Sequence, residues 1–330
     1  MAFKICAVGC GAMATRGHGP SFRKYAREHE GVILAACCDL DPVKAEAYQK
    51  AFGFARFYTD MDTMLLREKP DAVSLVVPVA LTERLSIHVM EMGFPVILEK
   101  PPGMDREQTL RMMEAADRTG VFNQVSFNRR FMPIVRRFQA LRQDIPGQFW
   151  QYDFFRVNRR DQDFSTTTIH GIDTLKFLAG SDYRSVRFSY YTNPADSALV
   201  PVIALECEFK DGQAGRITFA PATGILAERC TMHGTNEMIS AAMPSHGLAG
   251  SLNGDGELTH IRRGEILTHE IYGETEGFFV ENGFYGENSH FFDCVRAGIR
   301  PADDIASGLQ SVEIADCIRK KKDTYFAPSL

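Results

Sequence analysis

This chain of 330 residues has few of the sequence features that indicate a nucleic-acid-binding, metal-binding, disulfide-bonded or membrane protein. There is one tryptophan, and the 37 basic and 42 acidic residues leave a formal net charge of -5, which has the wrong sign for a nucleic-acid-binding surface. The eight cysteines form no C-x-x-C pair and have no histidine at zinc-site spacing, so we expect reduced thiols and no metal centre. No apolar run reaches about 18 residues and no signal-peptide pattern opens the chain, which predicts a soluble cytoplasmic protein.

The N-terminal part of the chain alternates short apolar runs with amphipathic stretches. Strands that are apolar on both faces and separated by helices are typical of a parallel sheet that is covered on both sides. We therefore predict a doubly wound α/β domain, of the kind called a Rossmann fold, over residues 1–125. The runs that carry this prediction are FKICAVG, VILAACCD, DAVSLVV, PVILEK and VFNQVSF.

Beyond residue 145 the pattern changes to longer, alternating and aromatic segments. The turn sequences KDGQ and RRGE separate paired runs, which predicts hairpins of an antiparallel sheet. Helical tracts interrupt this region at TTIHGIDTLKFLAG and follow it near the C-terminus. Residues 126–330 are therefore predicted to form a second α/β domain with a large, mostly antiparallel sheet.

A glycine-rich motif joins the first predicted strand to the first predicted helix. AVGCGAMA places Gly9, Gly11 and Ala14 as G-x-G-x-x-A, with Met13 inside the same loop. Gly9 would allow the tight turn, Gly11 would let a pyrophosphate approach the backbone, and Ala14 would let the helix pack closely on the strand. All four are expected to bind a dinucleotide, although the motif alone also fits a plain tight turn.

An acidic residue follows the second predicted strand in CCDLD. Asp39 lies where a carboxylate accepts hydrogen bonds from the adenosine ribose and repels a 2'-phosphate, which favours NAD over NADP. The alternative is that Asp39 or Asp41 only caps the next helix. Asp41, followed by Pro42, is the better cap and would leave Asp39 for the cofactor.

Two opposite charges end the predicted strand in VILEKPPG. Ligands of open parallel sheets bind beyond the carboxyl ends of the strands, where Glu99 and Lys100 lie. Neighbouring residues on a strand point to opposite faces, so their side chains are poorly placed to pair with each other. Lys100, held by the two prolines that follow, could orient a substrate hydroxyl and ease the loss of its proton.

The motifs AVGCGAMA, GFPVILEKPPG and VSFNRRFMP together resemble the Gfo/Idh/MocA oxidoreductases. The C-terminal YGENSHFFDCVRAGIRPADDIASGLQSVEIADCI is similar to the helical pair that returns to the nucleotide domain in that family. The resemblance implies a Rossmann domain, a second domain whose sheet makes the oligomer contact, and hence a homodimer or homotetramer. It also implies that Lys100 is catalytic and that Pro78 and Glu99 lie at the cofactor.

The resemblance further implies a general acid/base histidine at the start of a helix in the second domain. TTTIHGID matches that place and gives His170, with Thr166 where the family usually has an aspartate. Asp173, one helical turn beyond His170, could take over the missing carboxylate's role or bind a substrate hydroxyl. Alternatively, His170 and Asp173 only satisfy backbone donors near Ser165 at the helix start.

The segment FNRRF, at the end of the last of these predicted strands, is placed by the resemblance near the nicotinamide. Asn128 and Arg129 are expected to bind substrate together with Thr166 and Asp173. Asn128 offers both a donor and an acceptor to a hydroxyl. Arg130 could serve in the same way or form an ion pair between domains.

These features predict an NAD-dependent oxidoreductase that acts on a sugar, a sugar derivative or a cyclitol. Hydride would pass between a substrate C-H and the nicotinamide while His170 takes the hydroxyl proton and Lys100 polarises the oxygen. One alternative keeps the cofactor bound and recycles the hydride internally, cleaving a glycoside by oxidation and elimination. Another is a non-catalytic protein that senses NAD or sugar.

Overall fold

The computed structural model describes residues 2–252, 254–273 and 276–328. The chain divides into two compact units. Unit 1 comprises Met1–Phe131 and Phe278–Val312, and unit 2 comprises Met132–Gly277 and Glu313–Leu330. Unit 1 is therefore built from two stretches of sequence that are far apart along the chain.

Strands and helices alternate in the first part of the chain, and strands dominate the second part. The strands are β1 Phe3–Val8, β2 Val32–Cys38, β3 Arg56–Tyr58, β4 Ala72–Leu75, β5 Val96–Glu99, β6 Asn123–Ser126, β7 Phe149–Phe155, β8 Tyr183–Tyr191, β9 Val202–Phe209, β10 Ala214–Ala220, β11 Ala227–Gly234, β12 Glu237–Ala242, β13 Gly256–Arg262, β14 Glu265–Tyr272 and β15 Thr324–Phe326. The α-helices are α1 Gly19–Glu28, α2 Pro42–Phe52, α3 Met61–Glu68, α4 Val79–Glu91, α5 Arg106–Thr119, α6 Pro133–Arg142, α7 Ser165–Ala179, α8 Phe278–Glu281, α9 Phe284–Ala297 and α10 Ile305–Arg319. A π-helix, Ala14–His18, precedes α1, and a 3-10 helix, Asn128–Phe131, precedes α6.

Unit 1 contains a six-stranded sheet in the order β3-β2-β1-β4-β5-β6, and every strand pair in it is parallel. The predicted doubly wound fold is confirmed. Strands β4 and β6 are buried at every position, because helices cover both faces of such a sheet. Strand β3 was not predicted, since its three residues are largely exposed and have no apolar pattern.

Residues 278–312 belong to unit 1 because helix α9 contributes to its core. Phe291 and Phe292 are fully buried in the same apolar cluster as Ile5, Phe22 and Tyr25. Burial of one such aromatic side chain stabilises a fold by about 1.5–3 kcal/mol. The C-terminal helical segment is therefore an integral part of the nucleotide-type sheet domain.

Unit 2 contains a nine-stranded sheet in the order β14-β13-β12-β11-β7-β10-β9-β8-β15. The predicted antiparallel character is confirmed, with the pair β7 and β10 running parallel. Strand β7 alternates exposed and buried residues, and its inward side chains Trp150, Tyr152 and Phe154 are fully buried. The predicted turns at KDGQ and RRGE form with Gly212 at φ 93° and Gly264 at φ 85°.

Helix boundaries follow the expected local signals with one exception. Asp41 caps α2 by accepting hydrogen bonds from the Val43 and Lys44 N-H groups, and Pro42 is its first residue. Helix α4 is the exception, because it begins at Val79 after Pro78, an N-cap residue whose side chain makes no hydrogen bond to the helix. Within the described parts of the chain, no helix has both the length and the apolar character that crossing a membrane requires.

Candidate functional site

The glycine loop begins directly after β1 and has the geometry that its sequence predicts. Gly9 has φ 92°, and a Cβ atom at this position would lie 1.9 Å from the Val76 carbonyl oxygen, so no other residue fits. A Cβ atom at Gly11 would meet no protein atom within 4 Å. The backbone at Gly11 is therefore open on the side where a ligand would approach.

The segment after the glycine loop differs from the expected α-helix. Residues 14–18 form a π-helix, in which the Gly19 N-H donates to the Ala14 carbonyl five residues earlier. Ala14 is fully buried, as close packing on the strand requires, whereas Met13 is 45 % exposed beside the loop. The π-helix accommodates the long TRGHG stretch before α1 begins at Gly19.

Asp39 connects the end of β2 with the glycine loop. Its Oδ2 atom accepts the Cys10 N-H at 2.8 Å, and its Oδ1 atom accepts the Asp41 N-H at 3.0 Å. Asp41 is the cap of α2, so the alternative in which Asp39 caps that helix is wrong. Since a carboxylate has about four acceptor positions, Asp39 retains capacity for a ligand hydroxyl.

A cavity of about 1080 Å³ lies beyond the carboxyl ends of the strands in unit 1. Four of the predicted cofactor residues line it, namely Gly9, Gly11, Asp39 and Pro78. Apolar side chains such as Val77 cover much of the remaining wall. Ligands of doubly wound folds bind at this edge of the sheet, next to the point where strand order reverses between β1 and β4. The cavity is large enough for a nucleotide.

Glu99 and Lys100 end β5 as predicted, and Glu99 is hydrogen-bonded at both carboxyl oxygens. Its Oε1 atom lies 2.8 Å from His18 Nε2, and its Oε2 atom accepts the Lys100 backbone N-H at 3.2 Å. Burial favours the neutral acid, but the hydrogen bond from His18 and the charges of His18 and Lys100 outweigh it and lower the Glu99 pKa. Glu99 is therefore a carboxylate beside Lys100.

The 3-10 helix after β6 carries Asn128, Arg129 and Arg130. Asn128 is 7 % exposed, and its side-chain amide donates to the Asn282 carbonyl at 2.7 Å. This hydrogen bond stabilises the folded chain. Arg130 forms a buried ion pair with Asp303 at 2.7 Å. Arg130 therefore forms an ion pair, but both partners belong to unit 1, so the expected pair between domains is wrong. Arg129 is partly exposed on the same turn.

In unit 2, helix α7 carries the remaining predicted site residues. His170 and Thr166 are half-buried near its start. Asp173 is 1 % exposed, and its charge adds to the effect of burial in raising the pKa of Tyr183. The Ser165 N-H at the helix start donates to Asp163 Oδ1 at 2.9 Å. Asp163, which the sequence did not point to, therefore satisfies this backbone donor at the helix start.

Sequence reasoning missed His18 altogether. This side chain is fully buried, and its partner Glu99 lies 81 positions later in the chain. A histidine inside TRGHGP has no spacing that points to a site. The one available signal is the pair of glycines that flank it, because small residues on both sides allow close packing around the imidazole.

Comparisons with known proteins agree with this geometry. Residues 3–127 match the model of an oxidoreductase family with an NAD-binding Rossmann fold, Gfo/Idh/MocA. D-glucoside 3-dehydrogenase of Escherichia coli is 30 % identical over 128 residues, which cover 39 % of this chain and 35 % of that enzyme. The NAD-dependent scyllo-inositol 2-dehydrogenase of Bacillus subtilis is 26 % identical over 289 residues, which cover 80 % of this chain and 79 % of that enzyme.

Among solved structures, a dehydrogenase from Clostridium difficile superposes with a TM-score of 0.83 at 17 % identity, covering 97 % of this chain and 100 % of the other. This likeness shows the fold. For further inositol and apiose dehydrogenases the chain spans 54 % to 64 % of their length. The expectations of an NAD-binding Rossmann fold and of a second, mostly antiparallel α/β domain are confirmed.

Proposed function

We propose that this chain, whose residues 3–127 match the Gfo/Idh/MocA family model, is an NAD-dependent dehydrogenase acting on a CH-OH group of a sugar, a sugar derivative or a cyclitol. The observation that carries the proposal is the cavity of unit 1, in which Gly9, Gly11 and Asp39 meet at the carboxyl ends of the strands. The names of the relatives supply the substrate class, since they include inositol, glucoside and apiose dehydrogenases.

The residues of the cavity fit NAD. Gly11 leaves room for a pyrophosphate against the backbone, and the negative charge of Asp39 suits ribose hydroxyls while repelling a 2'-phosphate. Pro78 lines the same cavity, and we assign Met13 and Ala14, which follow the glycines, to the cofactor loop. When bound, NAD supplies the acceptor for a hydride, and the protein supplies orientation and proton transfer.

We assign the acid/base chemistry to Lys100 and His170. Lys100, fixed at the end of β5, polarises the substrate oxygen with its ammonium group. His170, half-buried on α7, takes the hydroxyl proton. Thr166, Asp173, Asn128 and Arg129 are assigned to the remaining hydroxyls. The side chains of Asp173 and Asn128 are nearly inaccessible, so Thr166 and Arg129 offer more surface for direct contact.

The experiment that tests this function follows reduced-nicotinamide absorbance with a panel of sugars, inositols and glycosides, using NAD and separately NADP. Lys100→Met and His170→Ala are expected to lower kcat by about 10²-fold or more, the usual share of a positioned acid/base group. Lys50→Met and His269→Ala are matched controls, because their side chains are 69 % and 51 % exposed in surface ion pairs. Full turnover by both site variants would refute the assigned roles.

The similarity to a D-glucoside 3-dehydrogenase favours one second candidate function, that of a redox glycosidase or lyase. A redox glycosidase or lyase would oxidise a glycoside, eliminate the leaving group and return the hydride to the product. Product analysis on glycosides separates the two functions, because this enzyme would cleave the substrate without net formation of reduced NAD. Tight NAD binding with neither outcome would instead indicate a sensor.

We also propose that the protein is a homodimer or homotetramer assembled through the sheet of unit 2. One face of this sheet holds a cavity of about 590 Å³ lined by both apolar and charged side chains, including Phe149, Arg216 and Phe326. Such mixed surfaces are common in subunit contacts. Light scattering of the purified protein measures the mass directly, and a monomer would refute this proposal.

A further inference from the structure

His18 is a fully buried histidine at the end of the π-helix. π-helical turns are rare and often lie at functional sites, where the extra residue changes the direction of a side chain. Here the π-helix connects the glycine loop to α1, and His18 is its last residue. The imidazole contacts Glu99 at the end of β5, which lies 81 positions later in the chain.

The surroundings of His18 hold its ring in one orientation. A Cβ atom at Gly17 would lie 2.7 Å from the Phe284 ring, and one at Gly19 would lie 2.5 Å from the Phe52 ring. A side chain larger than that of glycine would therefore clash at either neighbour of His18. The His18 ring packs edge-on against Phe284 with centroids 5.3 Å apart. The small residues on either side allow this enclosure.

Hydrogen bonds connect His18 to the residue that we propose as catalytic. The Asn288 Nδ2 atom donates to the Phe284 carbonyl at 2.7 Å, and the same atom lies 3.1 Å from His18 Nδ1. His18 Nε2 lies 2.8 Å from Glu99 Oε1, and because a carboxylate can only accept, the Nε2-H donates. The second oxygen of Glu99 accepts the Lys100 N-H at 3.2 Å. The chain of contacts therefore runs from α9 to the backbone of Lys100.

We infer that His18 is a positioning residue for Lys100: it fixes the Glu99 carboxylate, which in turn fixes the Lys100 backbone through the hydrogen bond from its N-H. This inference rests on the catalytic role proposed for Lys100. Histidine is suited to the task because its two ring nitrogens, on opposite sides, reach Asn288 and Glu99 at once. A buried carboxylate without such a donor would lose its orientation and much of its charge.

Two further carboxyl groups, Glu287 and Asp303, lie in the interior of unit 1. Glu287 is fully buried, and burial together with the charges of Glu99 and Asp303 raises its pKa well above the ordinary value. Asp303 is compensated by its ion pair with Arg130. Glu99 carries its charge because His18 donates to it.

The test uses two variants of almost equal shape. His18→Gln keeps an N-H donor near the position of Nε2, whereas His18→Met has similar length and no donor. We expect His18→Met to lower kcat by roughly tenfold or more at unchanged KM, the equivalent of one hydrogen bond to a charged group, and His18→Gln to stay within about threefold of the parent. His269→Met is the matched control, since it removes a His-Glu pair of 2.9 Å on the exposed surface.

A second measurement does not depend on turnover. Hydrogen-deuterium exchange at the Lys100 amide reports its bond to Glu99, and the absence of amide hydrogens at Pro101 and Pro102 makes this position easy to resolve. Exchange is expected to rise in His18→Met and to remain near the parent rate in His18→Gln. Unchanged exchange in His18→Met, or equal loss of kcat in both variants, would overturn the inference.

Two further variants separate this inference from the proposed function. In a Lys100→Met background, adding His18→Met should lower the residual rate no further, because His18 acts through Lys100. If Lys100→Met alone keeps full turnover, the function assigned to Lys100 fails, and the exchange experiment still decides whether His18 orders it. Glu99→Gln, which keeps the side-chain shape if His18→Met does not fold, should also lower kcat, and an unchanged kcat would contradict the inference.

Discussion

Replacing the buried Glu287 by glutamine should make the protein progressively more stable than the parent as the pH rises. Glu287 is fully enclosed in unit 1. Burial raises its pKa well above 4.5, the nearby charges of Glu99 and Asp303 raise it further, and the neighbouring Ser126 hydroxyl opposes them only in part. The folded protein therefore keeps this carboxyl group protonated at pH values where the unfolded chain has released the proton.

The sign and size of the effect follow from that difference. Stability from a group whose folded pKa is raised is fully present below the unfolded pKa of 4.5 and is lost as the pH rises through the folded pKa. In that window one proton changes the free energy of unfolding by about 1.4 kcal/mol per pH unit. Glutamine does not titrate, so the advantage of Glu287→Gln should grow at that rate.

Urea unfolding of the parent and the variant between about pH 5 and about pH 8 measures this difference, and other titrating groups cancel in the comparison. Glu46→Gln, at a side chain that is 49 % exposed on α2, is a matched control for which we expect a constant difference. A constant difference for Glu287→Gln as well would refute the reasoning, because it would mean that folding does not change the protonation of this group.

Three other changes test the site and its support. Asp39→Asn should weaken NAD binding about tenfold or more in calorimetry while NADP binding holds or improves, since one charged acceptor is lost and repulsion of a 2'-phosphate is relieved. Gly11→Ala should leave the melting temperature unchanged yet lower NAD affinity about tenfold, whereas Gly9→Ala should destabilise the fold itself. Arg130→Met should lower the free energy of unfolding by about 3–5 kcal/mol because it leaves Asp303 buried and uncompensated, and adding Asp303→Leu should recover part of the loss in urea unfolding.

Specific results would contradict each of these three. Equal loss of NAD and NADP affinity in Asp39→Asn would mean that the residue only braces the glycine loop. Unchanged NAD affinity in Gly11→Ala would place the pyrophosphate elsewhere. A loss below about 1 kcal/mol in Arg130→Met would show that the ion pair is exposed to water in solution.

Local signals in the sequence were sufficient for much of the fold and part of the site. The glycine spacing, the Asp41-Pro42 helix start and the alternating strands each depend on neighbours within a few residues, and all of them hold in the structure. Strand β3 escaped prediction because its three residues bury little. Its place in the sheet comes from pairing with β2, which no local pattern encodes.

The supporting contacts of the site could not be predicted because they join distant parts of the chain. His18 meets Glu99 and Asn288, and Arg130 meets Asp303, across separations of 81 to 270 positions. Each of these residues alone resembles an ordinary polar residue on a helix or in a loop. The roles of Lys100 and His170 came from the family resemblance, and they remain predictions until the variants are assayed.

The discontinuity of unit 1 determines when this domain can mature during synthesis. Residues 278–312 supply Phe291 and Phe292 to its core, Asn288 to His18, and Asp303 to Arg130. A nascent chain that has already exposed its first 131 residues still lacks these partners while all of unit 2's sheet up to β14 is being translated. The glycine loop and its sheet therefore remain incompletely folded, with apolar surface accessible to chaperones, until the last part of the chain leaves the ribosome.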